Sequence, residues 1–261
     1  MTMPFARPIG LFDSGVGGVS IWRQIRALMP HEHTLYLADS RNAPYGQKSR
    51  EEILALSLKN TEYLLERGAK IIVLACNTAT TNAVKELRAR YAVPFIGIEP
   101  AIKPAALQSK TCKVGVLATA GTINSALFAQ TASNFRNIRF IEQIGHGLVP
   151  LIEAGQMESP AMEALLQEYL QPMIAADIDH LVLGCTHYPF LSAQIRRILP
   201  PHIDIIDSGA AVARQTRAVL QQHGLLADAT QEGQALFYTN ADETVLRTLV
   251  GGDGSVMRAD F

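Results

Sequence analysis

Short apolar runs alternate with amphipathic stretches along this chain. The runs at residues 8–12, 33–38, 71–75, 93–98, 113–118, 138–141, 180–184, 202–206 and 234–239 are bounded by turn-forming residues and read as buried strands. Between them, residues 20–28, 50–66, 79–90, 124–132, 161–175, 189–199 and 210–223 carry apolar positions at helical spacing. Strands that alternate with helices predict an α/β fold, with mostly parallel sheets flanked by helices. In such sheets ligands gather at the carboxyl ends of the strands.

The pattern also repeats. Residues 10–14 align with 115–119, 72–77 with 181–186, and 95–99 with 203–207, in the same order and at nearly constant offset. This predicts two pseudo-symmetric domains with an active site in the cleft between them. The tail from residue 210 has no counterpart, so the chain is expected to return to the first half there. The expected domains are residues 1–98 with 209–261, and residues 99–208.

Composition narrows the function. A chain of 261 residues with 48% hydrophobic residues can bury the cores of two domains. Its net charge of −1 leaves no basic excess to neutralise phosphates, so nucleic acid is not expected as a partner. No apolar run is long enough to span a bilayer. Residues 1–8 carry no apolar core of a secretory signal, which predicts a cytoplasmic protein. Three cysteines do not make a disulfide scaffold.

Two of these cysteines carry the chemistry. The repeat puts Cys76 and Cys185 at equivalent points, just past a buried strand where a helix begins. The unpaired N–H groups and positive dipole end of a helix start favour a thiolate and should lower the thiol pKa. A thiolate can act as a base. Two such groups, one per half, could remove a proton from one face of a carbon and deliver one to the other. Cys112 lacks this setting and reads as structural.

Other residues surround these two. Asp13 ends the first strand and opens the turn Asp13-Ser14-Gly15-Val16-Gly17-Gly18, which is neither a P-loop nor a dinucleotide fingerprint. Asp13 is read as a cap, a proton-handling group, or both. His187 shares a loop with Cys185 and could hold or relay its proton. The stretch Asp39-Ser40-Arg41-Asn42-Ala43-Pro44-Tyr45-Gly46 has the make-up of either a ligand loop or a plain surface turn. Thr119 and Thr122 could donate to a carboxylate. Glu153 has no local signal and reads by itself as a surface carboxylate. His31, Glu32 and His33 lack further ligands nearby, so no metal is expected. No lysine lies in the cysteine loops or the glycine turn, which argues against a pyridoxal Schiff base.

Taken together, the segments Gly10-Leu11-Phe12-Asp13-Ser14-Gly15-Val16-Gly17-Gly18, Asp39-Ser40 through Pro44-Tyr45-Gly46, Ala75-Cys76-Asn77-Thr78-Ala79-Thr80 and Leu183-Gly184-Cys185-Thr186-His187-Tyr188-Pro189 resemble the glutamate racemase family, over about residues 9 to 215. The resemblance implies a cofactor-independent isomerase that interconverts L- and D-glutamate, supplies D-glutamate for peptidoglycan and commonly forms a homodimer. By motif position, Cys76 would take the α-proton from D-glutamate and Cys185 from L-glutamate. Asp13 would assist Cys76, His187 would assist Cys185, and Glu153 would support His187. Asp13, Ser14, Tyr45, Gly46, Asn77, Thr78, Thr119, Thr122, Thr186 and His187 would contact substrate. Some Gram-negative members have a longer leader and depend on a cell-wall precursor as activator; the few residues before the first motif weaken that expectation here. Alternatives are a racemase for aspartate or a hydantoin, a two-lobed protein that binds small anions without chemistry, and a hydrolase or decarboxylase with one essential thiol.

Overall fold

The structure is a computed structural model, and it describes residues 7–228 and 232–261. The reading of the leader falls mainly on residues 1–6, which lie outside the described residues. Ten strands are present among the described residues: Ile9–Asp13 (β1), Thr34–Ala38 (β2), Ile71–Leu74 (β3), Phe95–Gly97 (β4), Lys113–Ala118 (β5), Arg139–Ile144 (β6), His180–Gly184 (β7), Asp204–Ile206 (β8), Ala235–Thr239 (β9) and Ser255–Arg258 (β10). One sheet runs β10-β9-β2-β1-β3-β4 and the other β6-β5-β7-β8. All of the pairings are parallel.

The order β2-β1-β3-β4 is the order β6-β5-β7-β8 again, and the register makes the correspondence specific. Gly10 lies opposite Leu35 and Ile72, and Gly115 lies opposite Ile141 and Leu181. The sequence pairings of residue 10 with 115 and of 72 with 181 are therefore spatial equivalences. The third pairing slips. Phe95 lies opposite Ile72, but Ile205, not Ile203, lies opposite Leu181. Both segments are short and apolar, so composition alone does not fix their register.

Both faces of each sheet are covered, as parallel sheets require. In the first sheet Leu11, Tyr36, Ala38, Ile71 and Val73 point to one side. Phe12, Leu35, Leu37, Ile72 and Leu74 point to the other, with the two-residue period of a strand. The first set packs in one continuous core with Leu117, Leu181 and Leu183 of the second sheet and with Tyr188, just past β7. A separate core with Val114, Val116 and Val182 covers the far side of that sheet. The chain leaves β4 and returns after β8 side by side, where the Ser208 hydroxyl donates to the Glu99 carbonyl.

Helix starts follow local capping chemistry. Ser49 and Glu52 exchange reciprocal hydrogen bonds in front of helix Arg50–Glu66. Ser125 Oγ accepts from Phe128 N at 3.1 Å and moves the start of the helix predicted at 124–132 to Ala126. The predicted helix 189–199 divides into a 3₁₀ turn, Tyr188–Leu191, and helix Ser192–Ile198. Strand β10 and helices Ile102–Gln108, Leu148–Glu153 and Thr244–Val250 are additions to the sequence reading. Among the described residues no helix is long and apolar enough to cross a membrane.

Candidate active site

The carboxyl ends of β1, β3, β5 and β7 converge where the two sheets face one another. Asp13 ends β1 and is fully buried. Its Oδ2 accepts from Gly18 N at 2.8 Å and ties down the glycine turn. The glycines are there for space. A Cβ on Gly15 would sit 1.9 Å from Glu153 Oε1, and one on Gly17 would sit 2.2 Å from His187 Nδ1. The turn is thus a floor on which two side chains from the opposite sheet rest. Burial pushes the Asp13 carboxyl up to about 6, against the opposing pull of the His187 charge and the Gly18 N–H.

Cys76 follows β3 and is the N-cap of helix Asn77–Arg90, which begins two residues before the predicted start. Its Sγ accepts from Ala79 N at 3.4 Å, and its thiol lies 3.6 Å from Ser14 Oγ. Ser14 Oγ in turn lies 3.5 Å from Asp13 Oδ1. The sequence reading expected the helix end to lower this thiol's pKa. The reverse holds: burial and the neighbouring Asp13 push it well above the ordinary thiol range, and the Ala79 and Ser14 hydrogen bonds only partly oppose them. Cys76 is only 4% exposed, so its sulphur has little water to stabilise a charge.

Cys185 follows β7 and is also buried. His187 Nδ1 lies 3.8 Å from its Sγ, while Nε2 lies 2.6 Å from Glu153 Oε1. Burial works against charge on this imidazole. The hydrogen bonds to Cys185 and Glu153 outweigh it and hold the His187 pKa well above the usual imidazole range. The charged form of the ring is therefore favoured, with one nitrogen facing the Cys185 sulphur and the other the Glu153 carboxylate. Glu153 reaches across from the last turn of helix Leu148–Glu153, accepting from Val16 N at 2.7 Å and from Ser40 Oγ at 2.7 Å. What read as a surface carboxylate is a joint between the two sheets.

Both cysteines line one cavity of ≈ 10 Å³, together with Ser14, Pro44, Tyr45, Gly46, Asn77, Thr78, Thr119, Val149, Thr186 and His187. That volume holds about one water and no amino acid. Thr122 lies just behind, with its Oγ1 3.1 Å from that of Thr119. The Tyr45 hydroxyl is directed away from the cavity and donates to Asp39 Oδ2 at 2.5 Å. Asp39 also accepts from Asn42 and Asn240 side-chain amides, so it anchors the 39–46 loop. Cys112, read as structural, is exposed with φ of 57° in the turn before β5, and belongs to no core. The sequence reading did not single out Ser40 or the Val16 N–H as partners of Glu153. Ser40 lies in the loop it flagged, but a backbone donor such as Val16 leaves no mark in the sequence.

The chain is similar to known racemases in sequence and in fold. The Asp/Glu/Hydantoin racemase family matches residues 19–216. A glutamate racemase of Ectopseudomonas mendocina is 49% identical over 256 residues, which cover 95% of this chain and 97% of that protein. The structure of a glutamate racemase from Bacillus anthracis superimposes with a TM-score of 0.86 at 30% identity, covering 98% of each chain. The Escherichia coli glutamate racemase, solved with L-glutamate and the activator UDP-MurNAc-Ala, gives a TM-score of 0.86 at 32% identity over 97% of each chain. A family match over most of the chain, near-complete coverage of a close relative and a cavity built around paired cysteines place this chain in the Asp/Glu/Hydantoin racemase family.

Proposed function

We propose that this chain interconverts L- and D-glutamate without a cofactor and supplies D-glutamate for peptidoglycan synthesis. The observation that carries this reading is the cavity itself: Cys76 and Cys185 face it from opposite sheets, each with its own titratable neighbour. In the D-to-L direction Cys76 acts as thiolate and takes the α-proton, while Cys185 gives its thiol proton to the opposite face. The sulphurs exchange protonation states, and the enzyme is then set for the L-to-D direction. Asp13 serves Cys76, and His187, steadied by Glu153, serves Cys185.

Removing the α-proton leaves negative charge that spreads into the carboxylate. Donors fixed in advance around it lower that barrier. Ser14, Asn77, Thr78 and Thr186 line the cavity for this task, with Tyr45 and Gly46 completing its wall and Thr119 and Thr122 on the second sheet. Burial alone disfavours the Cys76 thiolate. The substrate's α-ammonium, arriving beside the sulphur, supplies the positive charge that offsets this cost. A cavity of ≈ 10 Å³ also requires the two sheets to part for glutamate to enter.

The domains in this reading are residues 1–98 with 209–261, and residues 99–208. They are joined by the paired crossings at Glu99 and Ser208. The protein acts in the cytoplasm as a homodimer. Incubation with L-glutamate, followed by circular dichroism, should show decay of the signal to zero, with aspartate turned over far more slowly. Faster turnover of aspartate would reassign the substrate, and tight binding of glutamate with no loss of optical activity would favour a binding protein.

A further inference from the structure

Beside the cavity the two halves meet through two glycines, Gly46, which lines it, and Gly121, which packs against Gly46. Gly46 lies in the turn Tyr45–Gln47, after β2, and Gly121 lies in helix Ala120–Ile123, after β5. A Cβ on Gly121 would stand 2.8 Å from Thr78 Cγ2 and 3.2 Å from Gly46 Cα. A Cβ on Gly46 would stand 3.0 Å from Thr119 Cβ. Carbon atoms attract best at about 3.5–4.0 Å, so while the seam is shut a side chain at Gly121 would clash and one at Gly46 would be tight. Three hydroxyls close the same seam. Thr78 Oγ1, from the first sheet's side, lies 2.9 Å from Thr119 Oγ1, which lies 3.1 Å from Thr122 Oγ1.

We propose that Gly121 is a positioning residue for the reaction: its bare backbone lets the seam shut fully and so sets the closed separation of the two sulphurs. This rests on the racemase reading above. Cys76 and Cys185 ride on opposite sides of the seam, at the ends of β3 and β7. A methyl group wedged at position 121 props the sides apart and lengthens both proton transfers. Those transfers need reacting atoms about 3–3.5 Å apart. Substrate still enters an open cleft, so the loss falls on kcat more than on KM.

A double-mutant cycle tests this. Alanine is a better helix former than glycine, which offsets part of the overpacking against Thr78, so Gly121→Ala should stay folded with at most a modest loss of thermal stability. In the otherwise unchanged protein it should lower kcat by about tenfold or more. Thr78→Ser keeps the hydroxyl and removes Cγ2, the atom 2.8 Å away; the remaining 3.2 Å contact asks for a shift of only a few tenths of an ångström. In the Thr78→Ser background Gly121→Ala should therefore cost less than about threefold in kcat. Equal losses in both backgrounds, or no loss in the Thr78 background, would overturn the inference. Absence of racemisation by the unaltered chain would instead remove the functional reading beneath it.

Discussion

His187 Nδ1 lies 4.0 Å from Asp13 Oδ2. The carboxyl beside Cys76 is thus within electrostatic reach of the imidazole beside Cys185: the His187 charge lowers the Asp13 pKa, and Asp13 raises that of His187. Each member's role then depends on the charge state of its neighbour across the cavity.

Burial of Asp13 costs stability near neutral pH. Its folded pKa of about 6 lies above its ordinary value of 3.8. The protonated carboxyl is therefore favoured by folding. This contribution is complete below pH 3.8 and is lost as pH rises through about 6. Asp13→Asn should raise the unfolding free energy at pH 8 by at most ~3 kcal/mol, a figure that already includes the His187 attraction because the folded pKa of about 6 is the net of both effects. The gain should vanish near pH 4. Urea denaturation at the two pH values measures it, and the same variant should lose racemase activity at every pH.

Glu153→Gln weakens the clamp on His187. A hydrogen bond to a charged group contributes about 1.5–3 kcal/mol, so kcat/KM should fall by about 10- to 150-fold. The raised His187 pKa should also drop, which moves the alkaline limb of the pH profile to lower pH. An unshifted limb with reduced activity would assign Glu153 to joining the sheets alone.

Gly17→Ala tests the fit of the turn beneath the imidazole. The added Cβ would meet a buried ring at 2.2 Å. Overpacking of this kind costs about 1–3 kcal/mol. The expected outcome is a lower melting temperature together with loss of activity, because the displaced group is His187.

A control lies away from the cavity. Lys70 Nζ and Glu32 Oε2 form a 2.6 Å ion pair with side chains only 7% and 3% exposed. Glu32 also accepts from Ala227 N at 2.7 Å. Lys70→Met leaves a buried carboxylate without its cation and should cost about 3–5 kcal/mol of stability. Activity per folded molecule should not change.

The sequence revealed what depends on strand ends and repeats. Cys76, Cys185 and Asp13 each stand at the end of an apolar run; register within the first sheet sets Asp13 beside Cys76, and the docking of the two sheets brings Cys185 to them. Strand β10 escaped notice because Ser255-Val256-Met257-Arg258 has little apolar character and depends on pairing with β9. Helix Ile102–Gln108 carries Pro104 in its first turn, which masks its pattern. Glu153 was unreadable for a different reason. Its partners Val16, Ser40 and His187 are scattered along the chain, and only the docking of one sheet on the other assembles them. The thiol pKa of Cys76 was misjudged because the helix end was legible and the depth of burial was not.

The most direct test of the paired-thiol account is racemisation of L-glutamate in heavy water, followed by NMR at Cα before equilibrium. Two bases on opposite faces predict deuterium at Cα in the D-glutamate formed, while the remaining L-glutamate stays largely protiated. Early D-glutamate that keeps the original proton would contradict the account, because a single group would then have carried that proton across.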